Sequence, residues 1–135
     1  MTPDVEAQYQ EIATIVTENL ADEWAQAWVY IEMLEDTGVA SAYLERPTGT
    51  LHFIDDADLD LALYRAFRKL RLSWSSSSGD LWSVATFTVR ANGKFSIDVE
   101  YQDVSDAGQT FDRRQDWERR QFGKRQIGTV SRGQG

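Results

Sequence analysis

Leu81–Asp103 reads LWSVATFTVRANGKFSIDVEYQD, and its pattern decides what kind of fold to expect. Two runs rich in β-branched and aromatic residues flank Asn92-Gly93, the strongest short-range signal for a hairpin closed by a two-residue turn. On the second run Phe95, Ile97, Val99 and Tyr101 alternate with Ser96, Asp98, Glu100 and Gln102. Side chains along a strand point to opposite faces in turn, so the first set is expected in a core and the second in solvent. The hairpin then displays an acidic row, Asp98, Glu100 and Asp103, on a rigid sheet. Such a row suits the binding of something basic better than the turnover of a substrate.

Upstream, Tyr9, Ile12, Ala13, Val16 and Leu20 recur at helical spacing and predict a helix over Asp4–Leu20. Trp24–Leu34 reads as a strand, with Trp28, Tyr30 and, if the phase holds, Glu32 opposite Val29, Ile31 and Met33. Glu35-Asp36-Thr37-Gly38 is a turn, followed by strands over Val39–Leu44 and Thr50–Ile54. Asp55-Asp56 opens a second helix with the apolar stripe Leu59, Leu63, Phe67, Leu70 and Trp74. Ser75–Gly79 is expected to be a mobile serine-rich loop, and Phe111–Phe122 a charged helix around Trp117. The fold class is therefore α+β: a mainly antiparallel sheet of about five strands with helices packed on one face. Residues 1–123 are expected to form one domain and 124–135 a basic, flexible tail.

The length suits a single domain with a real core, and the aromatic content argues against disorder. No apolar run is long enough to span a bilayer, and the start of the chain lacks a signal-peptide pattern, so a cytoplasmic location is expected. With no cysteine there is neither disulfide nor thiolate chemistry. The net charge of −8 conceals an asymmetry: up to Asp60 the only basic residue is Arg46, whereas Arg114, Arg119, Arg120, Lys124, Arg125 and Arg132 crowd the end. An acidic body repels phosphates and speeds encounter with cationic partners. A nucleic-acid role for the basic segment is disfavoured by the overall charge and by Asp112, Asp116 and Glu118 within it.

Catalytic patterns fare poorly. His52 is the only histidine, which rules out paired-histidine zinc sites, and no G-x-S-x-G elbow is present. Asp56, Asp58 and Asp60 imitate the opening of a calcium loop, but Leu61 and Phe67 occupy the positions that need glycine and glutamate. Helix capping by Asp55 or Asp56 explains those residues better. Asp98 and Glu100 as an acid–base pair would need a cleft that an exposed sheet face does not offer. No catalytic residue, metal ligand or cofactor is expected.

Three ordered features carry a family resemblance. YQEIATIVTENLADEW leads into an aromatic strand; LWSVATFTVRANGKFSIDVEYQD follows; FDRRQDWERRQFG closes the pattern with its arginines, central Trp117 and terminal Gly123. The chain thereby resembles the YezG-like immunity proteins, antitoxins of bacterial polymorphic toxin systems. The matching positions are Trp82, Gly93, Phe95, Asp98, Tyr101 and Trp117, most of them of structural type. The resemblance implies a small cytoplasmic α+β protein, without cofactor or catalytic activity, that neutralises a cognate toxin domain, often a nuclease. A monomer without membrane or nucleic-acid contacts is the expectation. The contact surface expected from the sequence is Glu35 and Asp36, the run Asp55, Asp56 and Asp58, and the row Asp98, Glu100 and Asp103. Trp28 and Tyr30 would serve as aromatic anchors if exposed. The other readings are a regulatory or ligand-sensing module with a Trp- and Tyr-lined pocket, and a carboxylate-and-metal hydrolase.

Overall fold

The computed structural model describes residues 3–20, 23–35, 37–78 and 81–131. Its elements run α1 (Pro3–Asn19), β1 (Gln26–Leu34), β2 (Thr37–Glu45), β3 (Leu51–Asp55), α2 (Ala57–Ser78), β4 (Val84–Arg90), β5 (Phe95–Glu100), a short 3₁₀ turn (Ala107–Gln109), α3 (Thr110–Phe122) and β6 (Ile127–Ser131). The strands form one six-stranded sheet in the order β5-β4-β1-β2-β3-β6. All neighbours are antiparallel except β3 and β6. The α+β class and the mainly antiparallel sheet are as expected. No described helix is long and apolar enough to cross a membrane.

Periodicity placed the first layer correctly. Tyr9, Ile12, Ala13 and Val16 of α1, and Leu59, Leu63, Phe67 and Leu70 of α2, are buried against Val29, Ile31, Phe87 and Val89 of the sheet. Asp56 caps α2, its Oδ1 accepting from the Leu59 N–H at 3.1 Å, which satisfies one of the open amides of the first turn. Arg71, on the same helix, donates from Nε to the Trp82 carbonyl at 2.6 Å and so ties α2 to the start of β4.

The sheet has a second covering that the hairpin pattern did not announce: α3 lies on the opposite face. Trp117 and Phe122 are buried there with Trp28, Tyr30, Tyr43 and Val84. The Trp117 ring packs tilted by about 40° against both tyrosine rings, with centroids 5.2 Å apart, and its indole N–H donates to the Thr86 hydroxyl at 2.9 Å. β1 is consequently covered on both sides and reads as an almost unbroken apolar run. The alternation of β5 holds, with Phe95, Ile97 and Val99 packed against the first core, but Tyr101, expected with them, lies beyond the end of the strand and is 57% exposed. Because β5 is an edge strand, its pattern does not report what covers the centre of the sheet. Ser96 and Asp98 stay exposed there while α3 covers the middle of the sheet.

Three local expectations change. The hairpin loop has three residues, Ala91-Asn92-Gly93: the Arg90 N–H donates to the Lys94 carbonyl at 2.8 Å, and Gly93 N–H to the Arg90 carbonyl at 2.9 Å. Gly93 takes the left-handed conformation (φ 87°) and Asn92 does not, so a two-residue type I′ turn is excluded. The helix α2 continues through the serine run to Ser78, where a mobile loop was expected; Gly79 lies outside the described residues. The segment expected as a flexible tail contributes β6, paired with β3 from Leu51↔Ile127 to Asp55↔Ser131. Residues 132–135 lie outside the described residues.

Candidate functional site

Strand direction gathers much of the chain's acidity. Because β1, β3 and β5 run the same way, their last residues share one end of the sheet, together with the β1–β2 turn and the start of α2. Glu35, Asp55, Asp58, Glu100 and Asp103 all fall there, though the sequence separates them widely. Glu35, Asp55, Asp58, Asp98 and Asp103 are exposed; Glu100 is partly covered and lies 3.8 Å from Arg120. Hydrogen bonds from Ser105 hold the Asp103 carboxyl below the usual carboxylate range, so it is charged at neutral pH.

The other sequence-derived candidates fare differently. Asp36 lies outside the described residues. Asp56 is only 6% exposed and its carboxylate is engaged at the N-terminus of α2, so it serves the helix rather than an outside partner. Trp28 and Tyr30 are 5% and 1% exposed beneath α3, and neither meets the condition of exposure set for an aromatic anchor. The reason is the second helical layer: an aromatic face on a central strand attracts a cover from its own chain.

That cover is locked by a buried carboxylate. Glu32, 4% exposed, accepts from Arg113 Nε at 3.0 Å and Nη2 at 2.9 Å, and from the Tyr30 hydroxyl at 2.5 Å. The arginine fork and the phenol supply the donors that a buried carboxylate requires. Burial, with the Glu32 hydrogen bond second, pushes the Tyr30 hydroxyl far above its ordinary range, and Tyr43 behaves likewise beside Glu118. Neither phenol is available as an acid or nucleophile near neutral pH. Among the described residues no group of three or more His, Asp or Glu is placed to hold a metal ion.

One acidic residue at this end stands apart. Asp60, in the first turn of α2, is partly buried, and its Oδ1 is buried without a hydrogen-bond partner. Burial first, then the charges of Asp56 and Asp55, push its carboxyl up to about 6, against an opposing pull from Arg114. A carboxyl whose pKa is higher folded than unfolded costs stability as it ionises. The contribution of Asp60 to stability should therefore fall as pH rises from about 4 through 6. Asp60→Asn is expected to gain about 1–2 kcal/mol at pH 7.5, allowing for solvent screening, and nothing near pH 4. Thermal melts of both proteins across that range check it; an equal difference at both pH values would show that ionisation is not the cause.

Residues 52–129, from β3 into β6, match the family model described as YezG-like, immunity protein YezG-like. That span includes Trp82, Gly93, Phe95, Asp98, Tyr101 and Trp117. The chain is 29% identical over 117 residues to Immunity protein YezG of Bacillus spizizenii strain W23, covering 76% of this chain and 72% of that protein. It is 24% identical over 109 residues to Immunity protein YezG of Bacillus subtilis strain 168, covering 71% and 72% respectively. With more than half its length matched by the family model, and with the aromatic core, the glycine-closed hairpin and the Trp117 helix all in place, the chain belongs to the YezG-like immunity protein family.

Proposed function

We propose that this protein is an immunity protein that binds a cognate toxin domain and neutralises it without catalysis or cofactor. The toxin is of nuclease type, and the acidic end of the sheet is the contact surface. The observation that carries this reading is the convergence, at one end of a family member's sheet, of exposed acids from the β1–β2 turn (Glu35), β3 (Asp55), α2 (Asp58) and the segment after β5 (Asp103), with the partly covered Glu100 beside them. A nuclease must present positive charge to hold phosphates, so an acidic inhibitor competes for that same surface and is steered toward it. Neutralisation takes place in the cytoplasm, where the producing cell's own nucleic acid needs protection.

The first test is co-expression with the C-terminal domain encoded by the adjacent upstream gene, followed by purification of the complex. Rescue of growth with a stable complex supports the reading; a domain that kills regardless and never co-purifies overturns it for that pairing. The second test reverses charge on β5. Asp98→Lys/Glu100→Lys is expected to slow association about tenfold or more at low salt, with a smaller effect at high salt. Both side chains lie on an edge strand and Asp98 is exposed, so the fold should persist. Unchanged association kinetics at low salt would move the contact surface away from β5.

A further inference from the structure

The acidic end is not uniformly polar. Leu34, Val39 and Leu61 are 40%, 44% and 48% exposed, although each is a large apolar side chain on a well-packed element. All three lie at the end where β1 finishes and β2 and α2 begin. Between β2 and α2 runs an open groove of about 510 Å³, bordered by Gly38, Val39, Ala40, Asp60, Leu61 and Tyr64. Gly38 shapes its floor: a Cβ there would stand 2.8 Å from the Tyr64 ring and 2.7 Å from the Glu32 carbonyl, so only glycine lets the ring approach. An apolar centre with a charged rim is the anatomy of a protein-binding surface.

Within that groove the one polar anomaly is Asp60. Its buried Oδ1 takes no hydrogen bond, and Asp55 and Asp56 add negative potential around it that the chain's own Arg114 offsets only in part. A carboxyl with one oxygen closed off and unpartnered is costly to ionise, and a cation brought to the side of Asp60 that lines the groove would offset that cost.

We infer that the groove between β2 and α2 receives an arginine or lysine of the toxin domain, with its charged head on Asp60 and its flanking apolar residues on Val39 and Leu61. This deepens the immunity reading and rests on it, because the occupant is a segment of the same partner. The exposed apolar residues account for complex stability, and Asp60 selects a cation at the centre. The surrounding Glu35, Asp55 and Asp58 act mainly on encounter.

The test uses the full chain and the toxin domain from the adjacent gene. Affinity is measured for wild type, Asp60→Asn and Leu61→Ser, with hydrogen–deuterium exchange of the wild-type complex. Asp60→Asn is expected to bind about thirtyfold more weakly, although it is the more stable protein, and Leu61→Ser about tenfold more weakly. Exchange should slow in segments 37–40 and 60–64. If wild type binds but both variants bind equally well and protection falls elsewhere, the groove assignment is overturned while the immunity reading stands. If wild type itself never binds the domain, both fall together.

Discussion

Replacing Arg113 by alanine is expected to cost about 3–5 kcal/mol of stability, a fall in Tm of roughly 10–15 °C for a chain of this size. The reason is what the change leaves behind. Glu32 lies on the central strand β1 with its side chain 6% exposed, and two nitrogens of the Arg113 fork meet its two oxygens. Without the fork the carboxylate keeps only the Tyr30 hydroxyl and a long contact to Thr110 at 3.4 Å. Desolvating a charge so poorly compensated is the expensive part. Glu32→Met/Arg113→Met should therefore recover part of the loss, because the charges leave together and apolar surface replaces them, while the buried Tyr30 hydroxyl loses its acceptor. Circular-dichroism melts of the three proteins check this. An Arg113→Ala melt within about 2 °C of wild type would show that Glu32 finds other partners.

Trp117→Ala should be comparably damaging, by about 3–5 kcal/mol, through cavity formation rather than charge. Trp117 is 3% exposed and holds α3 on the sheet among Tyr30, Tyr43 and Phe122, with ring centroids 5.2–5.4 Å away. Its removal also leaves the Thr86 hydroxyl without the indole donor. Trp117→Phe separates the two losses: most of the packing survives, and about 1–2 kcal/mol should go with the hydrogen bond. Chemical denaturation of the pair measures both. If alanine and phenylalanine cost the same, packing is not what fastens α3. Both substitutions lie within the family-matched segment yet far from the acidic end in role. They should reduce toxin neutralisation only in proportion to the unfolded fraction.

The candidate surface was half legible from the chain. Charge listing proposed Glu35, Asp55, Asp58, Asp98, Glu100 and Asp103, and all of these but the partly covered Glu100 are exposed, because acids tend to the surface by residue type alone. It could not separate Asp56, a helix cap, from Asp58, which is exposed. Nor could it single out Asp60, whose distinction is a buried oxygen lacking a donor. The groove beside Asp60 joins the start of β2 to the first turns of α2, segments some twenty residues apart that only the packing of α2 over the sheet brings together. A carboxyl of this sort in the opening turn of a helix, flanked by other acids, is a signal worth reading in such chains.

Local pattern determined where the helices and strands of the core lie, which faces of α1 and α2 are buried, and where the β4–β5 hairpin turns. Each of these follows from periods of two or 3.6 residues and from turn chemistry, which act within a few residues of the chain. Tertiary structure alone decided that α3 covers the second face, that β6 extends the sheet beside β3, and that Trp28 and Tyr30 are core. Periodicity reports that a side chain is buried without saying what buries it, and the answer here lies some eighty-five residues downstream in Trp117 and Arg113. The same holds for the surface: the acids are written in the sequence, but their meeting at one end follows from strand order and direction, which only long-range pairing sets.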